Sequence, residues 1–142
     1  MNAYFHGPSR IPLLGETIGE NLRRTVERWG GRDAIVVRSQ GYRATYRELW
    51  DATTLLGRAL IASGVGKGDR VGIWSPNRFE WVVTQFAAAR VGAILVNINP
   101  AYKTSELQYA LRQSGISLLI HADAFRTSDY VRMIGEVRAE CP

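Results

Sequence analysis

The chain has 142 residues, of which 46% are hydrophobic and 22% charged, and its formal net charge is +5. This length suits one domain or part of a larger one, and the composition is ordinary for a globular protein with a hydrophobic core. Arginines supply nearly all of the positive charge and are spread along the chain. A nucleic-acid-binding protein concentrates such charge on one face, so we expect no nucleic-acid partner.

Cys141 is the only cysteine, so the chain cannot form an internal disulfide. The only histidines are His6 and His121, too few to complete a structural zinc site with one cysteine. This cysteine content fits a reducing compartment. No basic segment followed by a long apolar run opens the sequence, and no stretch has the length of a membrane span. We predict a cytoplasmic protein without a transmembrane segment.

Local signals in the first third of the chain predict an arm, a helix and a hairpin. Residues 1–16 carry two glycines and two prolines and predict an irregular arm. Thr17 is a candidate N-cap for a helix that the glycine pair at residues 30–31 ends. Residues 34–38 and 42–45 are short β-rich segments joined by Ser-Gln-Gly, which predicts a β-hairpin near residues 34–45.

Thr45 and Glu48 have the spacing of a capping box, in which the carboxylate accepts the backbone N–H of the threonine. We therefore assign Glu48 a capping role and not a catalytic one. A long helix is predicted after the box, with an apolar stripe made of Leu49, Ala52, Leu55, Leu56, Ala59 and Leu60.

A glycine-rich loop at residues 63–69 invites comparison with phosphate-binding loops. Those loops join a strand to the start of a helix, so that the helix amides point at the phosphate. Here the predicted order is helix, loop and strand. We therefore predict that Gly64, Gly66 and Gly68 cap the helix and turn the chain.

Three apolar segments in the rest of the chain predict strands, at residues 70–74, 93–96 and 117–121. The helix between the first two has an apolar face of Phe79, Val82, Val83, Phe86 and Ala87. A last helix is predicted over residues 129–139, with a stripe of Val131, Ile134 and Val137. Continuously apolar strands that alternate with helices predict an α/β fold, with a mostly parallel sheet flanked by helices.

Turn and cap residues delimit the middle strand. Gly92 ends the helix before it, and Pro100 stops it from pairing further. Thr104 and Ser105 are candidate N-caps for a helix near residues 106–113.

Asn77, Asn97, Asn99 and His121 follow or end predicted parallel strands, at the edge where open α/β sheets bind ligands. The alternative for each of them is a turn residue that bonds nearby backbone. Asp123 and Asp129 have no partner at a spacing that suggests paired-carboxylate chemistry. The histidines and the single cysteine do not assemble a nucleophilic triad.

Several phrases of the sequence resemble the acyl-CoA synthetase branch of the adenylate-forming, or AMP-binding, enzymes. They are PLLGETIG at residues 12–19, ATYREL at 44–49, GDRVGI at 68–73 followed by SPN and then EW, and VNINPAY at 96–102. The run at residues 89–115, which contains the last phrase, is similar to the second core motif of that family. VNINPAY is most like the medium-chain-type and family member 2 enzymes. The resemblance extends over nearly the whole chain.

The resemblance implies a two-step reaction with ATP, Mg²⁺ and coenzyme A: a fatty carboxylate forms an acyl-adenylate, and the thiol of coenzyme A then displaces AMP. The phosphate loop and the catalytic lysine of the family belong to later motifs that this sequence does not contain. We therefore expect residues 17–142 to be an incomplete amino-terminal AMP-binding domain of a fatty-acid–CoA ligase. We assign it no catalytic, cofactor-binding or metal-binding residue, and we expect the fragment alone to be inactive.

Two alternatives stay open. The chain is similar enough to other adenylating enzymes to come from an aryl-CoA ligase or a peptide-synthetase adenylation domain, or it is a non-catalytic interaction remnant. In each case we expect an incomplete domain to expose apolar surface or a strand edge, which favours self-association.

Overall fold

The structure is a computed structural model that describes Gly7 and residues 13–141. The helices are α1 (Ile18–Trp29), α2 (Tyr46–Ala62), α3 (Phe79–Val91), α4 (Thr104–Ser114) and α5 (Tyr130–Val137). The strands are β1 (Asp33–Val37), β2 (Tyr42–Thr45), β3 (Arg70–Trp74), β4 (Ile94–Ile98), β5 (Leu118–His121), β6 (Ala124–Phe125) and β7 (Ser128–Asp129). Single turns of 3₁₀ helix lie at Arg38–Gln40 and Arg138–Glu140.

A parallel sheet in the order β4-β3-β5 forms the centre of the fold. Ile73 in β3 lies opposite Asn97 in β4 and Ile120 in β5, so these three side chains share one face. Helices α2 and α3 cover that face, and α4 and α5 cover the other. The predicted α/β fold with a helix-flanked parallel sheet is confirmed.

Apolar packing divides between the two faces of the sheet. The core under α2 and α3 contains Leu60, Val65, Val71 and Ala87. The core under α4 and α5 contains Trp74, Ile98, Leu107, Tyr130, Met133 and Val137. A third cluster, built on Leu22, Val26, Leu49 and Val83, joins α1 to the outer side of α2 and α3.

The predicted hairpin near residues 34–45 is confirmed as the antiparallel pair β1–β2. Gly41 closes it with a left-handed backbone, φ 60°. The side chain of Gln40 accepts the Phe79 backbone N–H at 2.8 Å, and the Tyr42 ring stacks on the Phe79 ring with centroids 3.7 Å apart. The turn of the hairpin is thereby attached to the start of α3.

Side chains cap the starts of α1, α2 and α5, whereas the start of α4 differs from its prediction. Thr17 caps α1 and Thr45 caps α2, as predicted, and the capping box predicted at Thr45 is complete. Thr17 also forms a complete capping box, with Glu20, which was not predicted. The predicted caps of α4 are wrong, because the helix already begins at Thr104 and Ser105 lies within its first turn. There the Glu106 carboxylate accepts the Lys103 backbone N–H at 2.9 Å.

The buried face of α2 differs from the predicted stripe. Leu55 is 72% exposed and Ala59 also faces outward, whereas Thr53 and Gly57 are buried. Small residues line this face because α3 lies close: a Cβ on Gly57 would be 3.4 Å from Cγ1 of Val91. Close helix packing, and not hydrophobicity alone, selects the face.

The last helix is also rotated relative to its prediction. Val131 is 58% exposed, and the buried positions are Tyr130, Met133 and Val137. Tyr130 sets this rotation because it packs against Trp74 beneath the sheet. The helix ends at Val137, and the preceding β6–β7 hairpin was not predicted.

Strand β4 extends further than predicted: it reaches Ile98, whereas a strand at residues 93–96 was expected. Asn97 and Ile98 continue the parallel ladder opposite Ile73 and Trp74. The strand is also less buried than a continuous apolar segment suggests, since Ile94 is 53% exposed at the outer edge of the sheet.

Most of the predicted arm at residues 1–16 lies outside the described residues. Residues 13–16 form neither helix nor strand. In the part of the chain that the structure describes, no helix has the length and hydrophobicity needed to cross a membrane.

Candidate functional site

A cleft of about 230 Å³ opens at the carboxyl ends of β3 and β5. Ile73 and Ile120 form an apolar floor at the strand ends. The walls are Ser75, Arg78 and Glu80 on one side and His121, Ala122 and Asp123 on the other.

The chain topology explains why a cleft forms here. After β3 the chain passes into α3 on one face of the sheet, and after β5 it passes through the β6–β7 hairpin into α5 on the other. Neighbouring strands whose connections diverge in this way leave a crevice outside their carboxyl ends, which is the usual ligand position in open α/β sheets.

Arg78 and Glu80 form one wall of the cleft as an ion pair at the start of α3, with Nη2 and Oε1 3.0 Å apart. Gln40 donates a second hydrogen bond to the Glu80 carboxylate at 2.9 Å. Burial opposes ionisation of Glu80, but these two hydrogen bonds outweigh it and lower its pKa. The same hydrogen bond and charge raise the pKa of Arg78. This wall is therefore ionised and fixed in place.

His121 and Asp123 form the opposite wall. Nδ1 of His121 lies 2.8 Å from the Ala122 carbonyl oxygen, which only accepts, so this geometry assigns the proton to Nδ1. The Asp123 carboxylate accepts no hydrogen bond from any described residue. The Asp123 carboxylate gives this side of the cleft an acceptor, whereas Arg78 on the other side presents donors.

Of the four strand-end residues singled out from the sequence, the structure brings only His121 into the cleft. Asn99 has the alternative turn role, because its Oδ1 accepts the Ala101 backbone N–H at 2.9 Å. Asn77 is exposed in the turn before α3, and Asn97 is exposed on β4, across β3 from the cleft. Ligand contact by any of these residues stays a prediction.

Sequence reasoning did not single out Arg78 and Glu80 as site residues. The sequence feature that could have indicated them is a pair of opposite charges directly after the Ser-Pro-Asn turn, which itself follows a buried strand. Asp123 lines the same cleft, although it lies after β5 and more than forty residues further along the chain. In the sequence it was considered only for paired-carboxylate chemistry.

Glu48 and the glycine-rich loop at residues 63–69 were predicted to have structural roles, and their hydrogen bonds and backbone conformations agree with those roles. Glu48 accepts the Thr45 backbone N–H at 2.7 Å, and this bond lowers its pKa. In the glycine-rich loop, Gly64 and Gly68 have left-handed backbones, and Asp69 accepts the Gly66 N–H at 2.7 Å. The Gly68 N–H donates to the Gly92 carbonyl at 2.9 Å, so the loop is attached to the end of α3.

A resident metal ion would need several acidic, histidine or cysteine side chains close together. Among residues 13–141, no group of three or more histidine, cysteine, aspartate or glutamate side chains is arranged to hold a metal ion.

Relatives with curated names include medium-chain acyl-CoA ligases. The mitochondrial medium-chain acyl-CoA ligase ACSF2 of Danio rerio is 38% identical over 140 residues, and the enzyme of the same name from Rattus norvegicus is 36% identical. Each alignment covers 99% of this chain but only 23% and 22% of the relatives. The chain thus spans less than a quarter of their length.

Solved structures of similar fold are amino-terminal domains and whole CoA ligases. The N-terminal domain of FACL13 from Mycobacterium tuberculosis superimposes with a TM-score of 0.80 at 29% identity, covering 87% of this chain and 30% of that one. An anthranilate CoA ligase, AuaEII, solved in complex with anthranoyl-AMP, gives a TM-score of 0.80 at 26% identity, covering 93% of this chain and 24% of that one.

The family model described as AMP-binding enzyme matches residues 22–140, which include all of the central sheet. The match, the relatives and the superposed domains agree with the phrases noted in the sequence. The chain belongs to the AMP-binding enzyme family, in its acyl-CoA ligase branch, and corresponds to part of the amino-terminal domain.

Proposed function

We propose that this chain is a structural part of a fatty-acid–CoA ligase, which supplies the β4-β3-β5 sheet and its helices to the amino-terminal domain. The observation that carries the proposal is the 38% identity to a medium-chain acyl-CoA ligase along essentially the whole chain. Residues 17–142 are proposed to be the incomplete domain, preceded in the sequence by the segment of residues 1–16.

In the intact enzyme, a fatty carboxylate attacks the α-phosphate of ATP with Mg²⁺ present, which releases pyrophosphate and leaves an acyl-adenylate. The thiolate of coenzyme A then displaces AMP to form the thioester. No residue of this chain is assigned a step in that sequence. The hydrogen bonds that the loop at residues 63–69 makes with Asp69 and with Gly92 support a structural role.

The 142 residues alone are proposed to be inactive. The test is to incubate the purified chain with ATP, Mg²⁺, coenzyme A and octanoate and to measure pyrophosphate and octanoyl-CoA. Product at the background rate is expected, and sustained turnover would overturn this part of the proposal.

The structural role is tested separately by a chimera. The matching segment of the Danio rerio relative is replaced by residues 13–141 of this chain, and ligase activity with octanoate is measured. Retained activity supports the role. A folded chimera without activity would contradict it, and a matched chimera with the FACL13 segment, which has a similar fold, controls for the effect of the exchange itself.

A second candidate is part of an aryl-CoA ligase. It is favoured by the anthranilate CoA ligase, which superimposes with the same TM-score of 0.80 as the FACL13 domain. Sequencing the gene beyond the codon of Pro142 is the test, because an acyl-pocket sequence of the aryl-CoA ligase type there would favour this candidate over the fatty-acid–CoA ligase. A peptide-synthetase adenylation domain and a non-catalytic interaction remnant have no specific observation in their favour.

We further propose that the chain resides in the cytoplasm and that it self-associates. The single cysteine supports a reducing compartment. Fractionation of cells that express the tagged chain tests the location, since recovery with mitochondria would contradict it.

Self-association is supported by the outer strands, because β4 and β5 each pair only with β3 among residues 13–141.

A further inference from the structure

The guanidinium of Arg90 lies where α1, α2 and α3 meet. Its Cζ is 3.6 Å from the centre of the Trp50 ring, a cation–π contact. Nη1 lies 3.1 Å from the Trp50 carbonyl oxygen and 2.7 and 2.9 Å from the hydroxyls of Thr53 and Thr54. Both hydroxyls donate to that same carbonyl, so their lone pairs face the guanidinium. The plane of the cation is fixed.

Only one of the three nitrogens of Arg90 is used in these contacts. Nε and Nη2 donate no hydrogen bond to the described residues, and Arg90 is absent from the ion pairs formed among them. Burial lowers the pKa of Arg90, with no neighbouring carboxylate to oppose that effect. The unused nitrogens are the edge with which arginine binds carboxylates through two parallel hydrogen bonds.

A groove of about 470 Å³ opens beside Arg90. Trp50, Ala89 and Val91 give it apolar walls, and Thr17, Gly19, Glu20, Arg23 and Gly92 complete the lining. Gly19 lets α1 approach closely, because a Cβ there would lie 3.1 Å from Cγ of Arg90. The groove is separate from the cleft at the carboxyl ends of β3 and β5.

The other charges in the groove do not neutralise Arg90. The Glu20 carboxylate accepts the Thr17 backbone N–H at 2.9 Å and the Thr17 hydroxyl at 2.8 Å, and these hydrogen bonds lower its pKa. Arg23 is paired with Glu27 at 2.5 Å. Arg90 is therefore the cation of this lining that has no carboxylate partner among the described residues, and it lies beside apolar walls.

We propose that this groove binds a small organic carboxylate. Nε and Nη2 of Arg90 would hold the carboxylate by two hydrogen bonds, and a short alkyl body would lie against Trp50, Ala89 and Val91. The site is independent of the proposed ligase role, because it needs only residues of α1, α2 and α3.

The first experiment titrates the isotope-labelled chain with hexanoate, acetate, hexanol and inorganic phosphate while NMR follows the Arg90 Nε–H and Trp50 indole signals. Saturable shifts are expected with hexanoate, weaker binding with acetate and phosphate, and no shift of the Arg90 signal with hexanol. Absence of a shift with hexanoate, an equal shift with hexanol, or tighter binding of phosphate would each overturn the proposal. Equilibrium dialysis with labelled hexanoate repeats the measurement on associated protein.

Three variants separate a binding role from a structural one. Arg90→Lys keeps the charge but removes the paired donors, and we expect about tenfold weaker hexanoate binding. Ala89→Leu fills the groove while leaving the Arg90 contacts in place, and we expect it to abolish hexanoate binding. Its circular dichroism spectrum should be unchanged, which shows that the variant is folded. Arg28→Gln is the control, since it removes an arginine stacked near Trp29 outside this groove. Unchanged binding in Arg90→Lys or in folded Ala89→Leu, or an equal loss in Arg28→Gln, would contradict the proposal.

Discussion

Trp74 at the end of β3 and Tyr130 at the start of α5 stack with ring centroids 3.5 Å apart and planes 9° from parallel. Both side chains are fully buried. The Trp74 indole donates to the Asn99 carbonyl at 3.0 Å, and the Tyr130 hydroxyl donates to the Pro100 carbonyl at 2.5 Å. Two aromatic residues from distant parts of the chain thus hold the loop after β4, in the run that first indicated the family.

Removing one of these hydrogen bonds should destabilise the fold measurably. Tyr130→Phe keeps the stack but leaves the Pro100 carbonyl without its buried donor, and we expect the free energy of unfolding to fall by about 1–3 kcal/mol. Urea denaturation followed by far-UV circular dichroism measures this change. Tyr109→Phe is the control, because Tyr109 is 68% exposed and its loss should cost less than about 0.5 kcal/mol. Equal effects of the two variants would contradict a structural role for the hydroxyl.

The same hydroxyl predicts a loss of stability at alkaline pH. Burial raises the pKa of Tyr130, so the folded protein keeps this proton more tightly than the unfolded chain does. Its contribution is therefore complete below the ordinary tyrosine pKa of about 10 and is lost as pH rises above that value. Urea titrations between neutral pH and pH 11 should show a steeper decline for the unchanged protein than for Tyr130→Phe. Parallel declines would contradict this assignment.

The capping boxes predict the opposite dependence in acid. The backbone N–H and the hydroxyl of Thr17 donate to Glu20 and lower its pKa, and those of Thr45 do the same for Glu48. The stability they provide is present above the ordinary glutamate pKa of about 4.3 and is lost as pH falls through the lower folded value. The stability difference between the unchanged protein and Glu48→Gln should therefore shrink below about pH 4. A constant difference across that range would argue against an ionised cap.

Features determined by neighbouring residues could be predicted from the sequence. Turn chemistry and the local apolar pattern determine the hairpin, the caps at Thr17 and Thr45, and the strand at residues 70–74. The structure has these features where they were expected. The role of Glu48 belongs to the same group, because both partners of its hydrogen bond lie within four residues.

Features determined by tertiary packing could not be predicted in this way. The apolar pattern of α2 allows more than one buried face, and the close approach of α3 favours Thr53 and Gly57 over Leu55. The cleft is assembled from Arg78 and Asp123, whose distance in the sequence carries no signal that they meet. Likewise, nothing local indicates that Arg90 stacks on Trp50 of another helix.

Gly72 should be intolerant of a side chain, because β3 passes beneath two apolar residues there. A Cβ would lie 2.7 Å from Cδ1 of Ile116 and 3.0 Å from Cδ1 of Leu119. We expect Gly72→Val to overpack this face and lower the free energy of unfolding by about 1–3 kcal/mol. Gly135→Ala is the matched control: it adds a methyl group within α5, where nothing lies within 4 Å, and should stabilise by roughly 0.5–1 kcal/mol. A stable Gly72→Val variant would show that the face is looser than its contacts indicate.

The open edge of β4 should drive association of the isolated chain. Ile94 is 53% exposed in this strand, which has no partner on its outer side among residues 13–141. Ile94→Lys places a charge on the edge, a change that opposes strand pairing between copies, so we expect a smaller mass by light scattering and weaker binding of a hydrophobic dye. Leu55→Lys removes a comparably exposed apolar side chain from α2, 72% exposed and away from any strand edge. Association that responds equally to both variants would indicate general hydrophobic contact, and a monomeric, dye-free unchanged chain would contradict the prediction outright.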